Sequence, residues 1–342
     1  MQGLYIVDAD GHVRDNEDEL KRYLEPQWAR RIFLFPKDAH DRDLGGVLGK
    51  RNVNAKVQLE DMDLEGIDMA ILYPTNGLFI GEIRDRDFAI AVSRAYNNWL
   101  HDYCQTDPQR LKGIALVPLQ DVQAACEEAE RAVKDLGFCG VMFPTYFRYA
   151  TRSCGDPYFD PFYATCERLG VPVAFHATGG ERGECRFDTF LGLHLFSHVP
   201  EQMISLTNFI LGGVLEKFPR LTAGFMEAGC GWLPFWMEHM DEEYEKRKHE
   251  APLLTKEPSE YVRSGRIYIG CEPEEKLLPI VAQMVRDDIL LYASDYPHWD
   301  SDWPHTVKTV RERTDLSDEL KRKVLSENAL RFYGLQAPVT TS

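Results

Sequence analysis

The sequence predicts an α/β fold: a (β/α)8 barrel of the TIM type over residues 1–342, one domain with an inserted loop after strand 1. Three observations point there. Short apolar runs alternate with helix-length stretches eight times along the chain. The runs are solidly apolar, as strands buried on both faces of a parallel sheet are. No Gly-x-Gly-x-x-Gly follows the first strand, which argues against the alternative, an open doubly wound sheet.

The first strand starts at Leu4-Tyr5-Ile6-Val7 and delivers Asp8-Ala9-Asp10-Gly11-His12 to its carboxyl end. Arg14 to Glu25 is polar and helix-like. Residues 26–55, with Pro26, Pro36, Gly45, Gly46 and Gly49, read as an irregular insertion, the kind of long loop that often serves as a lid. Gly45 to Lys50 is too short for a phosphate loop, and Arg51 stands where Ser or Thr belongs. Helix then follows strand in turn. Val57 to Gly66 is a helix ending on its glycine, and Asp68 to Pro74 a strand. A helix over Asp85 to Thr106 precedes strand Gly113 to Val117. Helix Val122 to Leu136 leads to strand Gly140 to Phe143, and helix Phe159 to Leu169 to strand Val171 to Phe175. Helix Glu201 to Lys217 and strand Leu221 to Met226 come next, then helix Gly231 to Lys248 and a surface excursion from Glu250 to Arg266. Strand Ile267 to Gly270, helix Glu274 to Val285 and strand Ile289 to Ala293 complete the barrel. Helices Pro304 to Arg313 and Asp318 to Phe332 close the chain.

Composition bounds the partners. A net charge of −16 disfavours nucleic acid and anionic membrane, which need a basic surface. It leaves room for an anionic small-molecule substrate, because a buried cation dominates its own pocket. The eight cysteines (104, 126, 139, 154, 166, 185, 230, 271) are scattered singly, which predicts reduced, buried thiols rather than a disulfide framework. No basic segment followed by an apolar stretch marks a signal peptide, and no apolar run reaches the ~18 residues of a membrane helix. The expectation is a cytoplasmic enzyme.

In a barrel the chemistry sits where strands end. Strand one ends in Asp10 and His12, strand five in His176, strand six in Glu227 and strand eight in Asp295. Residues two apart in a strand point the same way, so Asp10 and His12 converge on one point of the barrel mouth. His176 comes from the opposite wall, and Asp295 from the strand next to strand one. Two imidazoles and two carboxylates suit Zn²⁺, Mn²⁺ or Fe²⁺ and are poor for Ca²⁺ or Cu⁺. Taken singly, each has a plain structural reading. His176 reads as a hydrogen-bonded core residue, Asp295 as a helix N-cap and Asp10 as a turn residue. Jointly they predict a divalent metal site, because charged groups at buried strand ends are costly without partners.

Further candidates surround that set. His198 precedes the predicted helix at Glu201, as a buried staple or pointing into the mouth. His298, three after Asp295, reads as a hydrogen-bond partner of the metal shell or substrate, or as a loop residue packed on Trp299. His194, His239 and His249 read as helix or surface residues. Arg148, Arg182 and Arg186 lie on loops after strands four and five, where a guanidinium can clamp a carboxylate, though solvated loop charge is the plainer reading. Tyr73, Tyr146, Phe147, Trp232 and Trp299 lie near strand ends, as packing or as walls for an aromatic substrate.

The stretches Val7-Asp8-Ala9-Asp10-Gly11-His12-Val13, Val173-Ala174-Phe175-His176, Glu227-Ala228-Gly229-Cys230-Gly231-Trp232-Leu233-Pro234-Phe235 and Ala293-Ser294-Asp295-Tyr296-Pro297-His298 resemble the amidohydrolase-related family. That branch of the amidohydrolase superfamily contains the aminocarboxymuconate-semialdehyde, resorcylate and carboxyvanillate decarboxylases. Glu327-Asn328-Ala329-Leu330-Arg331-Phe332-Tyr333-Gly334-Leu335 resembles its ending, so the likeness covers nearly the whole chain. The resemblance implies a (β/α)8 barrel, one divalent metal on Asp10, His12, His176 and Asp295, and a homo-oligomer. It also exposes two departures. The first-strand motif is commonly His-x-His or Glu-x-His where this chain has Asp10, and Glu227 stands where some members carry a catalytic histidine.

The expected activity is that of a metal-dependent hydrolase or non-oxidative decarboxylase with a small, carboxylate-bearing or aromatic substrate. As a hydrolase, the chain would use Asp295 to take a proton from metal-activated water. As a decarboxylase, it would use Asp295 or Glu227 to protonate the ring carbon as carbon dioxide departs. Two alternatives belong to other classes. One is a dinuclear oxygenase, with a second metal on His198, Glu227 and His298. The other is a catalytically silent barrel subunit that binds no metal.

Overall fold

The structure is a computed structural model and describes residues 3–35, 52–146, 152–178 and 187–338. Eight parallel strands follow one another around a single sheet in sequence order. They are β1 (Val7–Val13), β2 (Met69–Pro74), β3 (Leu111–Ala115), β4 (Gly140–Pro144), β5 (Val173–His176), β6 (Ala223–Met226), β7 (Ile267–Cys271) and β8 (Leu290–Tyr292). The seam between β8 and β1 is closed just beyond the strand ends: Asp295 N donates to Asp10 O at 3.1 Å and His12 N to Tyr296 O at 2.7 Å. The result is the (β/α)8 barrel that the alternation predicts. Residues 36–51, which hold most of the insertion, lie outside the described residues, as do Phe147, Arg148, Arg182, Cys185 and Arg186.

The helices start and stop where local chemistry says they should. Asn54 caps the helix Ala55–Glu65 by accepting from Lys56 N and Val57 N, and Gly66 ends it at φ 80°, a conformation glycine adopts without strain. Asp85 and Asp121 cap Arg86–Cys104 and Val122–Lys134 in the same way. Aromatic side chains fill the layer between barrel and helices. Phe143, Phe175 and Phe225 are register partners across β4, β5 and β6, with Phe175 and Phe225 stacked at 4.9 Å. Phe162 and Phe209 pack on them from the helices, each such burial stabilising by about 1.5–3 kcal/mol. Phe175 faces the helices, so its neighbour His176 faces the barrel interior.

Three expectations need correction. Arg14 to Glu25 is not one helix but a turn of helix (Glu17–Leu20) and a 3₁₀ turn (Lys21–Tyr23), and a further turn, Pro26–Ala29, lies within the segment expected to be irregular. The helix expected from Glu201 begins at Phe190, capped by Thr189, and runs through Pro200 to Leu211 before a separate turn at Val214–Lys217. A proline inside a helix normally marks a boundary, which is why the sequence reading starts about three turns late. His198 therefore lies within the helix instead of ahead of it. The last helix is divided by a wider turn at Lys323–Glu327. The seven described cysteines are free and buried. No helix among the described residues is long and apolar enough to cross a membrane.

Candidate metal centre

β1 carries one extra residue relative to β2, because Asp8 pairs with Ala70 but Gly11 with Leu72. Such a bulge re-aims side chains. It sends Asp8 toward β8 and leaves Asp10 and His12 facing the barrel mouth, buried at 1% and 0% exposure. His12 Nδ1 lies 2.8 Å from Pro74 O, and His176 Nδ1 lies 2.8 Å from Ala177 O. A carbonyl only accepts, so both Nδ1 atoms carry the proton and both Nε2 atoms present a lone pair. Those lone pairs converge on Asp10, with Oδ1 3.6 Å from His12 Nε2 and 3.2 Å from His176 Nε2. Asp295 Oδ1 lies 3.3 Å from His12 Nε2 on the other side.

These separations match a metal shell. Donors ~2.0–2.1 Å from a tetrahedral ion stand about 3.4 Å apart. Asp10 Oδ2, His12 Nε2, Glu227 Oε2 and Asp295 Oδ1 are also buried with no well-aligned hydrogen bond among the described residues. Buried donor atoms in that number, grouped around His12, fit a divalent cation.

The donors of the mouth fall into two overlapping groups. Asp10, His12 and His176 form one group of mutually close donors; His12, Glu227, Asp295 and His298 form a second. His12 belongs to both. His298 Nδ1 lies 2.6 Å from Asp295 Oδ1, its Nε2 is 3.1 Å from Thr75 Oγ1, and its ring lies 4.0 Å from that of His12. Its contacts are thus with Asp295, Thr75 and His12. His198 Nε2 is 3.8 Å from Glu227 Oε1, at the rim of the second set.

Electrostatics separate the carboxylates. Burial raises Glu227 well above its ordinary range, and the charges of Asp295 and Asp10 raise it further. Burial alone would raise Asp295 as well, but His298 and His12 beside it hold it far below its ordinary range. His298 answers in kind: Asp295 lifts it above its ordinary value against the cost of burial. Burial and the neighbouring His298 lower His12, and burial with His194 lowers His198 to about 4. Both stay neutral and keep a free lone pair.

A cavity of about 180 Å³ opens beside this cluster, and six of its lining residues are carboxylates: Glu227, Glu272, Glu274, Asp295, Asp300 and Asp302. No lysine or arginine lines it among the described residues. Several sequence expectations end here. His194, read as a helix or surface residue, lines the cavity, with its Nε2 3.3 Å from Asp300 Oδ2 and its ring 4.8 Å from that of His198. The i, i+4 spacing of His194 and His198 carries that signal once the helix is known to begin at Phe190. Glu272 and Asp300 were not singled out by the sequence reading at all. Tyr73 is packing, not a substrate wall: it is fully buried, its ring lies 5.0 Å from His176, and its hydroxyl lies 2.8 Å from that of Tyr333. Trp232 donates to Gly229 O, whereas Trp299 is 39% exposed against His194.

Comparison with known proteins agrees with this arrangement. The amidohydrolase family model matches residues 7–335. Among curated proteins, the chain is 22% identical over 283 residues to 2-amino-3-carboxymuconate-6-semialdehyde decarboxylase of Dictyostelium discoideum, covering 82% of this chain and 76% of the relative. It is 29% identical over 195 residues to gamma-resorcylate decarboxylase of Rhodococcus jostii, covering 54% of this chain and only 59% of the relative's length. Among solved structures, 5-carboxyvanillate decarboxylase of Sphingomonas paucimobilis superposes with a TM-score of 0.79 at 20% identity, covering 98% of this chain and all of the other. The Novosphingobium aromaticivorans enzyme, solved with bound manganese, gives 0.77 at 22% identity over 98% of each chain. These two structures show the shared barrel. The family model covers nearly the full chain, and on that ground the chain belongs to the amidohydrolase family.

Proposed function

We propose that the chain is a metal-dependent, non-oxidative decarboxylase of a small aromatic carboxylate. The observation that carries this reading is the pair of histidines, His12 and His176, whose Nδ1 protons are tied to backbone carbonyls so that both Nε2 atoms face Asp10. In this reading Asp10, His12, His176 and Asp295 hold one divalent ion (zinc, manganese or iron), and Glu227 and His298 act beside it. A bound ion would supply Lewis acidity toward the substrate.

The chain's own residues do the rest. Glu227, whose affinity for a proton is raised by burial and by the two carboxylates near it, faces the cavity as the general acid. Its proton goes to the ring carbon, the ring then reclaims the electrons of the bond to the carboxylate, and carbon dioxide leaves. Asp295, ionised between His12 and His298, is a ligand rather than the acid. The carboxylate lining repels an anionic substrate from a metal-free site, so a substrate carboxylate enters only where a cation offsets that charge. The decarboxylase names of the relatives support the reaction class. The free cysteines support a reducing, cytoplasmic setting, and the family resemblance supports a homo-oligomer.

One observation favours a second reading. His12 is shared by two donor groups, and the second, with His198 3.8 Å from Glu227, supports a reading with a second ion, as in a dinuclear oxygenase. Metal analysis separates the two. The decarboxylase reading expects one equivalent per chain, sharply reduced in Asp295→Asn, and carbon dioxide release from a panel of hydroxylated benzoates. Two equivalents with ions ~3.5–4 Å apart favour the oxygenase. Metal well below one equivalent after reconstitution sinks both and leaves a silent subunit.

A further inference from the structure

Among the described residues, two that are not glycine have left-handed backbone: Glu227 at φ 57° and Asp295 at φ 52°. Both are carboxylates of the proposed site. Side chains rarely adopt this conformation, and it persists only where surrounding contacts impose it. What imposes it at Asp295 is another carboxylate, Asp8, which has no part in the chemistry proposed above.

Asp8 is 2% exposed and lies on β1 two residues before Asp10. Its Oδ1 accepts from Ser294 N at 3.0 Å and from Asp10 N at 3.3 Å. Its Oδ2 accepts from Ser294 Oγ at 2.5 Å, and Ser294 Oγ in turn accepts from Tyr296 N at 3.1 Å. One carboxylate therefore fixes residues 294 and 296, on either side of Asp295, and also the amide of Asp10. The space it occupies exists because residue 11 is glycine: a Cβ there would lie 2.8 Å from Asp8 Oδ2. Glu227 is held by a parallel arrangement, since Glu275 accepts from Cys230 N and Gly231 N in the turn that follows it.

We propose that Asp8 is a positioning residue that sets Asp10 and Asp295 against one metal ion by locking the β1–β8 seam through Ser294. This rests on the metal reading given above. Nothing about the hydrogen bonds requires Asp8 itself to touch the ion or the substrate. Its effect is to hold two donors that come from opposite ends of the chain at the separation their shared neighbour His12 requires.

The test uses Co²⁺ as the probe, read by its visible absorption and by competition with a chelating indicator. Asp8→Asn keeps the volume but puts an amide donor in reach of Ser294 Oγ, whose hydroxyl proton then loses its acceptor. The expected result is Co²⁺ affinity weaker by about 10–100-fold, the usual range for a lost supporting partner, with an altered visible band. Ser294→Ala removes one of the same bonds, and its expected loss is several-fold; it tests the proposal even where Asp8→Asn does not fold. The double variant is expected to be no weaker than Asp8→Asn alone, because both act on one unit. Phe162→Leu, in the core away from the seam, is the control: lower thermal stability with an unchanged Co²⁺ band. Unchanged Co²⁺ affinity and band in both Asp8→Asn and Ser294→Ala, even with lower thermal stability, overturns the proposal and makes Asp8 structural only. Failure of the parent protein to bind Co²⁺ instead overturns the metal reading on which the proposal rests.

Discussion

Gln202 ties the two walls of the site together, and its replacement should show how much. The side chain is fully buried in the helix Phe190–Leu211, and its Nε2 donates to Phe175 O at 2.9 Å and to Met226 O at 2.6 Å. Those carbonyls belong to the residues immediately before His176 and Glu227. Gln202→Leu keeps the shape and removes both donors. Each buried carbonyl left without its donor costs about 1–2 kcal/mol, while loss of the unpartnered Oε1 offsets part of that, for a net cost of roughly 1–3 kcal/mol. With ~2.1 cal/mol/K of unfolding entropy per residue over 342 residues, 1 kcal/mol corresponds to about 1.4 °C, so the melting temperature should fall by roughly 1.5–4 °C. Gln202→Glu should be worse, because an ionised carboxylate would then face two carbonyl oxygens in a dry site. The assay is thermal and urea unfolding of the metal-free protein at one pH. The expected order of stability is parent, then Leu, then Glu. A Leu variant as stable as the parent, or a Glu variant equal to Leu, would refute the idea that these two bonds hold the strand ends.

Glu272 should make the metal-free protein sensitive to alkali. Burial first, and then the charges of Asp295, Glu274 and Glu275, raise it to about 8. The fold therefore binds a proton that the unfolded chain releases above its ordinary value near 4.5. That stability is fully present below ~4.5 and is lost as pH rises through about 8, a change on the order of a few kcal/mol. Glu272→Gln should flatten the urea midpoint between pH 5 and 8; curves parallel to those of the parent contradict this. Divalent metal added at pH 7 should expel that proton. Titration calorimetry in buffers of different ionisation heat should then show up to about one proton fewer released by Glu272→Gln. At the barrel floor, Tyr333 donates to Ala9 O at 2.8 Å, which leaves Tyr73 as the donor in the 2.8 Å contact between the two hydroxyls. Tyr73→Phe removes only the last link, at about 1 kcal/mol, whereas Tyr333→Phe strands a buried donor and a buried acceptor, at roughly 1–3 kcal/mol. Equal losses in urea unfolding would reverse the assigned direction of that chain.

The barrel was legible because its signal is local and repeated. Solid apolar runs such as Met69-Ala70-Ile71-Leu72-Tyr73 need no distant information to be read as doubly buried strands, and the helices Ala55–Glu65, Arg86–Cys104, Val122–Lys134 and Asp160–Leu169 start or stop at a readable cap or glycine. The failures were local too. Pro200 hid the first eleven residues of the helix Phe190–Leu211, and with them the placement of His194 and His198 on one helical face beside the cavity. A single proline thus hid that His194 lies on the same helix as His198, one turn before it.

The site was legible where it obeyed the rule that barrel chemistry sits at strand ends, which brought out Asp10, His12, His176, Glu227 and Asp295. It was illegible where one carboxylate serves another through the backbone. Asp8 and Ser294 stand 286 positions apart, Glu275 and Cys230 stand 45 apart, and in each pair at least one donor is an amide N–H that every residue type but proline possesses. Residue identity therefore carries no mark of the partnership. What does carry a mark is the demand each buried carboxylate makes. Asp8, Asp10, Glu227, Glu272, Glu275, Asp295 and Asp300 cannot all be ligands of one ion, and those that are not must find donors elsewhere. Division of the carboxylates into those whose oxygens end on backbone N–H groups, such as Asp8 and Glu275, and those with an oxygen that accepts no hydrogen bond among the described residues, such as Asp10 Oδ2, is a tertiary fact. That division, more than the count of acidic residues, separates the scaffold of the site from its chemistry.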